Sequence, residues 1–198
     1  MTDRGQFFRA FNTLLQPERF RDFGPNGLQV EGSAQVTKIV PGVTASQALI
    51  EAAIEARADA IFVNYGLFWR GQDGCVTGWM RQRLGLLLAV TMNLFACLLP
   101  LDAHPELGNN AQLGRKPGLT PRNGPEGRFG EQGFGFLGAV QIDGSFNAAP
   151  ALAMHIKKLS KRPVALVRNV KLAITKIALC TGDAQRYFES AVAAGAKA

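Results

Sequence analysis

The sequence predicts an α/β fold with two similar lobes, each a mostly parallel sheet flanked by helices. Strand-like and helix-like segments alternate three times within residues 1–115, and such alternation is typical of parallel strands joined by right-handed crossovers. A stretch rich in Pro and Gly follows, and further strand and helix patterns lie beyond it. The predicted organisation is therefore a first lobe at 1–114, a connector at 115–132 and a second lobe at 133–198.

The first lobe is predicted to open with a helix over 5–15, where Phe and Leu side chains recur on one face. Residues 25–27, Pro-Asn-Gly, predict a tight turn, since Asn and Gly adopt the positive φ that such turns need. The β-branched residues of 36–43 predict a strand. A helix should follow this strand, with Thr44 or Ser46 as its N-cap.

The other elements of the first lobe follow from apolar runs and helical spacing. Residues 60–63 are apolar throughout, which is typical of a strand covered on both faces. Met and Leu recur at intervals of three and four over 76–89, which predicts a helix. The apolar run at 94–99 predicts a strand, and a short helix should begin near Asn110 because Asn is a good N-cap.

The second lobe is predicted from the same signals. Its expected elements are strands at 133–142, 164–167 and 173–180, a helix at 147–159 and a last helix that contains Tyr187 and Val192.

The composition is that of an ordinary globular protein, with 47% hydrophobic and 19% charged residues. The formal net charge of +7 favours anionic partners. The basic clusters within 115–128 and 157–162 are interpreted as solvated faces, and Lys and Arg near a helix C-terminus also complement the helix dipole. Nucleic acid is therefore not an expected partner.

The three cysteines argue for a reducing compartment, because their number is odd and Cys97 and Cys180 lie in apolar runs. The first residues lack the basic and apolar regions of a signal peptide. The longest apolar run, around 84–90, falls far short of the ~20 residues that a membrane span needs. The expectation is a cytoplasmic protein with no membrane partner.

Residues 99–110 form the candidate functional turn. Two prolines stiffen its backbone, and Asp102 and His104 lie where a strand gives way to a helix. Ligands tend to bind at this edge of an α/β sheet. The other interpretation is a capped turn whose aspartate accepts backbone N–H bonds.

Five segments within residues 24–195 carry a family resemblance: Pro25–Gly32, Gly42–Ala48, Gly66–Trp69, Leu99–Leu113 and Cys180–Gly182. On these segments the chain resembles the YbgI-like dinuclear metal centre family, also known as the Nif-three-like or GTP cyclohydrolase I type 2 homolog family. The resemblance implies a two-lobed α/β chain that assembles into ring-shaped hexamers. It also implies a pair of divalent metal ions in a cleft between the lobes.

The resemblance implies metal ligands that this chain lacks. The family has two adjacent histidines before its Gly-x-Phe-Trp segment, where this chain has Asn64 and Tyr65, and many relatives have a histidine at the position of Leu98. The turn aspartate of the family is present as Asp102, which is the one metal ligand predicted here. The last family ligands follow a segment that would begin beyond Ala198, so the second lobe is expected to be incomplete at its C-terminus.

These replacements predict a degenerate metal site. Divalent metals are held by imidazole and carboxylate groups. An amide offers only a neutral oxygen, a phenol ionises near a pH of about 10, and leucine offers no ligand atom. We therefore predict that divalent metal is absent or weakly bound, and that the chain has no catalytic residue and no cofactor-binding residue.

Two functions remain open from the sequence. The expected function is that of a non-catalytic or partner-binding protein that keeps the family scaffold and self-associates into a homo-oligomer, with a family-like hexamer as one form. The other function is a metal-dependent hydrolase acting on a nucleotide-like small substrate, so whether the chain is an enzyme stays undecided. Cys97 and His104 are close enough in sequence to suggest a nucleophile pair, but the apolar surroundings of Cys97 favour an inert core thiol.

Overall fold

The structure is a computed structural model that describes residues 1–115, 119–121, 127–140, 148–167, 174–182 and 184–198. The chain divides into two compact units, Met1–Leu101 and Asp102–Ala198. Both units combine strands with helices, and the predicted α/β class is confirmed.

The strands of the first unit are β1 (Thr2–Asp3), β2 (Gly27–Val30), β3 (Gln35–Val36), β4 (Ile39–Thr44), β5 (Ala60–Tyr65) and β6 (Asn93–Ala96). Four of them form one sheet, in the order β2-β6-β5-β4. Strands β4, β5 and β6 pair in parallel, which confirms the prediction for this lobe. Strand β2 runs antiparallel to β6, and the short strands β1 and β3 pair separately.

Three helices accompany this sheet: α1 (Arg4–Leu15), α2 (Gln47–Glu55) and α3 (Gly78–Ala89). The predicted choice of N-cap for α2 is resolved, because the Ser46 hydroxyl accepts a hydrogen bond from the backbone N–H of Leu49 at 3.2 Å. The main core lies where α2 and α3 meet the sheet, and Ile50, Ile61 and Leu87 are fully buried in it.

The strand predicted at 94–99 ends early. Strand β6 stops at Ala96, and a helical turn, α4 (Leu99–Ala103), begins at Leu99. Pro100 explains the change, because a proline has no N–H for a sheet ladder but fits the first turn of a helix. The candidate turn is therefore helical where it carries Asp102.

The described sheet of the second unit is antiparallel, so the prediction of a mostly parallel second sheet is wrong for these strands. They are β7 (Leu119–Pro121), β8 (Arg128–Phe129), β9 (Gly135–Val140) and β10 (Lys176–Leu179). Strand β9 pairs with β7, β8 and β10, each time in antiparallel register. The link between β8 and β9 is a short turn, and a link of that length can only join antiparallel strands.

Three helices belong to the second unit: α5 (Asn109–Arg115), α6 (Ala149–Ser160) and α7 (Phe188–Ala193). A small cluster of buried side chains, Leu152, Ile174 and Ile177, joins α6 to the sheet. The strand predicted at 164–167 is not formed, and residues 141–142 of another predicted strand lie outside the described residues. Helix α5 confirms the predicted helix near Asn110.

The boundary between the units lies at Leu101, whereas the predicted first lobe ended at residue 114. Helix α5 accounts for the difference, because it packs on the second sheet: a Cβ atom at Gly114 would lie 2.8 Å from the side chain of Leu179. Much of the predicted connector, at 116–118 and 122–126, lies outside the described residues.

Candidate functional site

The predicted positions in the first unit lie at the ends of two neighbouring parallel strands. Asn64 is the fifth residue of β5, and Leu98 follows β6. The Asn64 side chain is 5% exposed, and its Nδ2 atom donates to the backbone carbonyl oxygens of Cys97 at 3.1 Å and Leu98 at 3.3 Å. The amide of Asn64 therefore ties the ends of β5 and β6 together.

Tyr65 is half-buried at the end of β5 beside Trp69. Their ring centroids are 6.0 Å apart, and the ring planes meet at 31°. The tyrosine thus contributes an aromatic contact at the place where the family resemblance implies a histidine.

Asp22 organises the loop beside these strand ends, and the sequence analysis did not single it out. This carboxylate is 8% exposed. Its Oδ1 atom accepts from the backbone N–H of Phe23 at 2.7 Å, and its Oδ2 atom accepts from Asn26 Nδ2 at 2.8 Å and from the backbone N–H of Leu99 at 2.9 Å.

Asn26 completes this arrangement, because its Oδ1 atom accepts from the backbone N–H of Leu98 at 3.0 Å. Two successive N–H groups at the start of α4 are thus bound by side chains of one loop, in the manner of a helix cap. The spacing of Asp22 and Asn26 within a loop containing Gly and Pro was the sequence signal available for this cap.

A shallow depression with a volume of about 10 Å³ lies beside Asn26, Gln29, Asn64 and Trp69. Its polar lining is already engaged, since Gln29 Oε1 accepts from the backbone N–H of Leu67 at 2.8 Å and its Nε2 atom donates to the Pro25 carbonyl at 2.8 Å. A space of about 10 Å³ has room for roughly one water molecule. This depression therefore suits a ligand of a few atoms at most.

Asp102, the predicted metal ligand, lies in the second unit and is 2% exposed. Its Oδ1 atom accepts a hydrogen bond from Asn109 Nδ2 at 2.7 Å. The fully buried Asn110 donates through Nδ2 to the backbone carbonyls of Asp102 at 3.3 Å and Phe134 at 3.1 Å. Its Oδ1 atom accepts from the backbone N–H of Thr181 at 2.6 Å.

Cys180 lies within the electrostatic influence of Asp102. Burial first, and the negative charge of Asp102 second, raise the pKa of the Cys180 thiol to about 11. The thiol is therefore neutral near pH 7, whereas metals are bound by the thiolate.

Arg128 is half-buried and so departs from the solvated face predicted for the basic cluster within 115–128, whereas Arg115 of the same cluster is exposed. The guanidinium donates to the Ala103 carbonyl at 2.9 Å and lies 3.6 Å from the centroid of the Phe136 ring. Burial lowers the pKa of Arg128 from its ordinary value. This arginine therefore supports the end of α4 from β8.

His104 has a local role in the same turn. Its Nδ1 atom accepts from the backbone N–H groups of Glu106 at 3.2 Å and Leu107 at 3.0 Å. That nitrogen caps the turn before α5, so the imidazole is not presented as a metal ligand through it. The only other histidine of the sequence is His155, on α6.

Among the described residues, the side chains of Asp102, His104 and Cys180 do not make up the set of ligands that a dinuclear metal centre needs. Within the described ranges, no group of three or more His, Cys, Asp or Glu side chains is placed to hold a metal ion. The Asp102 carboxylate is bound by an amide, and the cysteine that shares its surroundings is held in the neutral thiol form. No chemical step through metal is therefore derived for this chain.

None of the helices within the described residues is long and apolar enough to cross a membrane.

Comparisons with known proteins agree with the geometry of the fold. A family model described as Duf34/NIF3 (NGG1p interacting factor 3) matches residues 2–198. Two similar proteins are called GTP cyclohydrolase 1 type 2 homolog. The one from Neisseria meningitidis serogroup B is 41% identical, over 96% of this chain and 73% of its own length. The one from Pseudomonas aeruginosa is 44% identical, over 93% of this chain and 71% of its own length. A solved structure of the protein ybgI, described as of unknown function, superposes with a TM-score of 0.88 at 36% identity, covering 98% of this chain and 76% of that chain.

Proposed function

The chain belongs to the Duf34/NIF3 family, and we propose that it keeps the scaffold of this family while acting without a dinuclear metal centre, as a non-catalytic, partner-binding protein. The observation that supports this proposal most is the environment of Asp102. This buried carboxylate accepts a hydrogen bond from the exposed Asn109, and within the described ranges it belongs to no group of three or more His, Cys, Asp or Glu side chains that could hold a metal ion.

The replacement at Asn64 supports the same function. Its amide nitrogen donates hydrogen bonds to two backbone carbonyls, so the side chain links the end of β5 to the residues that follow β6. Loss of even an outer partner of a metal ligand typically lowers metal affinity by ~10–100-fold, and this chain departs from the family at several positions expected to bind metal directly.

Metal analysis of the purified protein tests this function. The full chain is incubated with Zn²⁺, Mn²⁺ or Fe²⁺ and passed through a desalting column, and bound metal is then measured by mass spectrometry. We expect much less than one ion per chain. Two tightly held ions per chain would overturn the proposal.

The names of the relatives favour a second candidate, a metal-dependent hydrolase acting on a nucleotide-like substrate. Several relatives about 40% identical to this chain are called GTP cyclohydrolase 1 type 2 homolog. This candidate predicts consumption of GTP that depends on added divalent metal and is lost in Asp102→Asn. If GTP is not consumed with any of the three metals, the hydrolase is excluded for this substrate.

Self-association is part of the proposed function. On α7, Phe188 and Val192 lie four residues apart and are 72% and 65% exposed. Apolar side chains exposed together are typical of an interface. Light scattering should give a mass above that of one chain, and Phe188→Glu should lower it. We propose a cytoplasmic location, which the three free cysteines favour.

A further inference from the structure

The positive charge of this protein is concentrated in its second unit. Residues 1–101 contain nine Lys and Arg and eight Asp and Glu. Residues 102–198 contain thirteen Lys and Arg but only seven Asp and Glu. The net charges of the two units are therefore +1 and +6. No acidic residue occurs between Asp143 and Asp183, although this stretch holds seven of the thirteen cations.

Four of these cations lie at the C-terminal end of α6. They are Lys157, Lys158, Lys161 and Arg162, and all four are exposed. Within the part of the chain that the structure describes, none of them has an ion-pair partner. Lys157 and Lys158 complement the helix dipole, but Lys161 and Arg162 lie past the last helical residue.

After Arg162 the chain continues through an exposed apolar segment. Residues 163–167, Pro-Val-Ala-Leu-Val, form no helix or strand, and Leu166 and Val167 are 38% and 90% exposed. The backbone groups of 164–167 have no hydrogen-bond partner among the described residues. A segment with unpaired backbone groups and β-branched side chains suits the addition of a strand from another chain.

We propose that the basic end, defined as Lys157, Lys158, Lys161, Arg162 and the segment 163–167, binds an extended acidic segment of a partner protein. The proposal rests on the partner-binding function proposed above. Carboxylates of the partner segment pair with the four cations, its backbone pairs with 164–167, and its apolar side chains cover Leu166 and Val167.

A second copy of this segment is a poor occupant. The segment is flanked by Arg162 and Arg168, so antiparallel self-pairing brings like charges together. Like charges placed opposite each other destabilise a strand pair. The charge of the flanks therefore favours an acidic partner.

Fluorescence anisotropy with the full chain tests the charged contacts. The probe is a fluorescein-labelled peptide of alternating Glu and Val. The double variant Lys157→Glu/Lys158→Glu should weaken binding by about tenfold, because two ion pairs become repulsions. The matched control is Arg9→Glu/Arg81→Glu, which makes the same change in net charge at exposed positions of the first unit and should change the affinity by less than about twofold. Equal effects of the two double variants would overturn the proposal.

A second probe tests the backbone pairing. A peptide of the same sequence with methylated backbone nitrogens keeps its carboxylates but has no N–H donors. It should bind at least about tenfold more weakly than the unmodified peptide. Equal affinity for the two peptides would show that no strand is added.

Competing occupants and the proposed function are tested on the same sample. Single-stranded RNA, or vesicles containing phosphatidylglycerol, would replace the acidic peptide as the ligand if either bound more tightly and the Lys157→Glu/Lys158→Glu variant abolished that binding. Two metal ions per chain would overturn the metal-free function and leave the anisotropy result unchanged, so the two failures are distinguishable.

Discussion

At the scale of single residues, Asp22 shows how one buried carboxylate fixes a distant helix start. It binds the N–H of Leu99, which lies 77 residues further along the chain, and it also holds Asn26 in its own loop. The structure around the start of α4 therefore depends on Asp22, a side chain that belongs to no metal-binding motif in the sequence.

Asp22→Ala should destabilise the protein by about 2–4 kcal/mol, because the Leu99 N–H and the Asn26 amide lose their acceptor in a buried place. Urea unfolding monitored by circular dichroism measures the change. Asp73→Ala is the matched control, since Asp73 is exposed and bonds only within its own turn, to the N–H of Cys75. Equal stabilities of the two variants would contradict the role of Asp22.

Asp102 and Cys180 give a prediction about pH. Because the pKa of Cys180 is raised to about 11, its alkylation by iodoacetamide should be slow near pH 8 and should increase as the pH rises toward that value. Asp102→Asn removes a negative charge that disfavours the thiolate, so it should lower this pKa and speed alkylation at a given pH. Burial is the larger cause, so part of the shift should remain.

Mass spectrometry in a Cys75→Ser background measures this rate, because the exposed Cys75 would otherwise react first. The rate is compared with that of a short cysteine peptide. A Cys180 rate equal to the peptide rate would contradict the raised pKa.

At the scale of elements, the residues that precede helices α2 and α3 show how far the local sequence predicts a helix cap. Ser46 caps α2, as its position before the helix indicates. Thr77 precedes α3 in the same way, but its side chain makes no cap hydrogen bond. The two residues therefore form a natural pair for measuring the value of a cap.

Ser46→Ala should cost about 1 kcal/mol of the free energy of unfolding, because the Leu49 N–H loses its acceptor. Thr77→Ala should change stability by less than about 0.5 kcal/mol, since no cap bond is removed. Chemical denaturation of both variants checks this prediction. A loss at Thr77 as large as the loss at Ser46 would contradict it.

Two glycines separate helix propensity from close packing. Gly85 lies inside α3 with open space around it, so Gly85→Ala should stabilise the protein by about 0.5–1 kcal/mol. A Cβ atom at Gly32 would lie 2.2 Å from the backbone oxygen of Thr91, so Gly32→Ala should destabilise it by more than about 1 kcal/mol. Thermal unfolding should show opposite shifts in melting temperature, and shifts of the same sign would contradict the packing.

At the scale of the whole molecule, local patterns predicted the first unit better than the second. The apolar runs of β5 and β6 are continuous in sequence, and helices between successive strands imply parallel pairing. Strand β2 was missed because Pro25 and Gly27 signal a turn, and this strand is formed by pairing with β6. The antiparallel second sheet was missed because a short strand does not show its direction of pairing in its own sequence.

The candidate site was also predictable only in part. The position of Asp102 after the strand and before α5 follows from local turn residues. The bonds that surround it do not, because Asn110 reaches Thr181 across 71 residues. Long-range hydrogen bonds between common polar residues leave no periodic trace in a single sequence.

The two units should differ in their resistance to local unfolding. The first unit has a main core of fourteen buried side chains that joins its sheet to α2 and α3, whereas the cluster that joins α6 to the second sheet has three among the described residues. Buried apolar area is the main source of local stability, so amides of β5 and β6 should exchange more slowly than those of β9 and β10. Hydrogen–deuterium exchange at the level of peptides measures the difference. Leu87→Ala, in the larger core, should speed exchange in β5 and β6. If β9 and β10 of the unmodified protein exchanged more slowly than β5 and β6, the first unit would not be the more stable one.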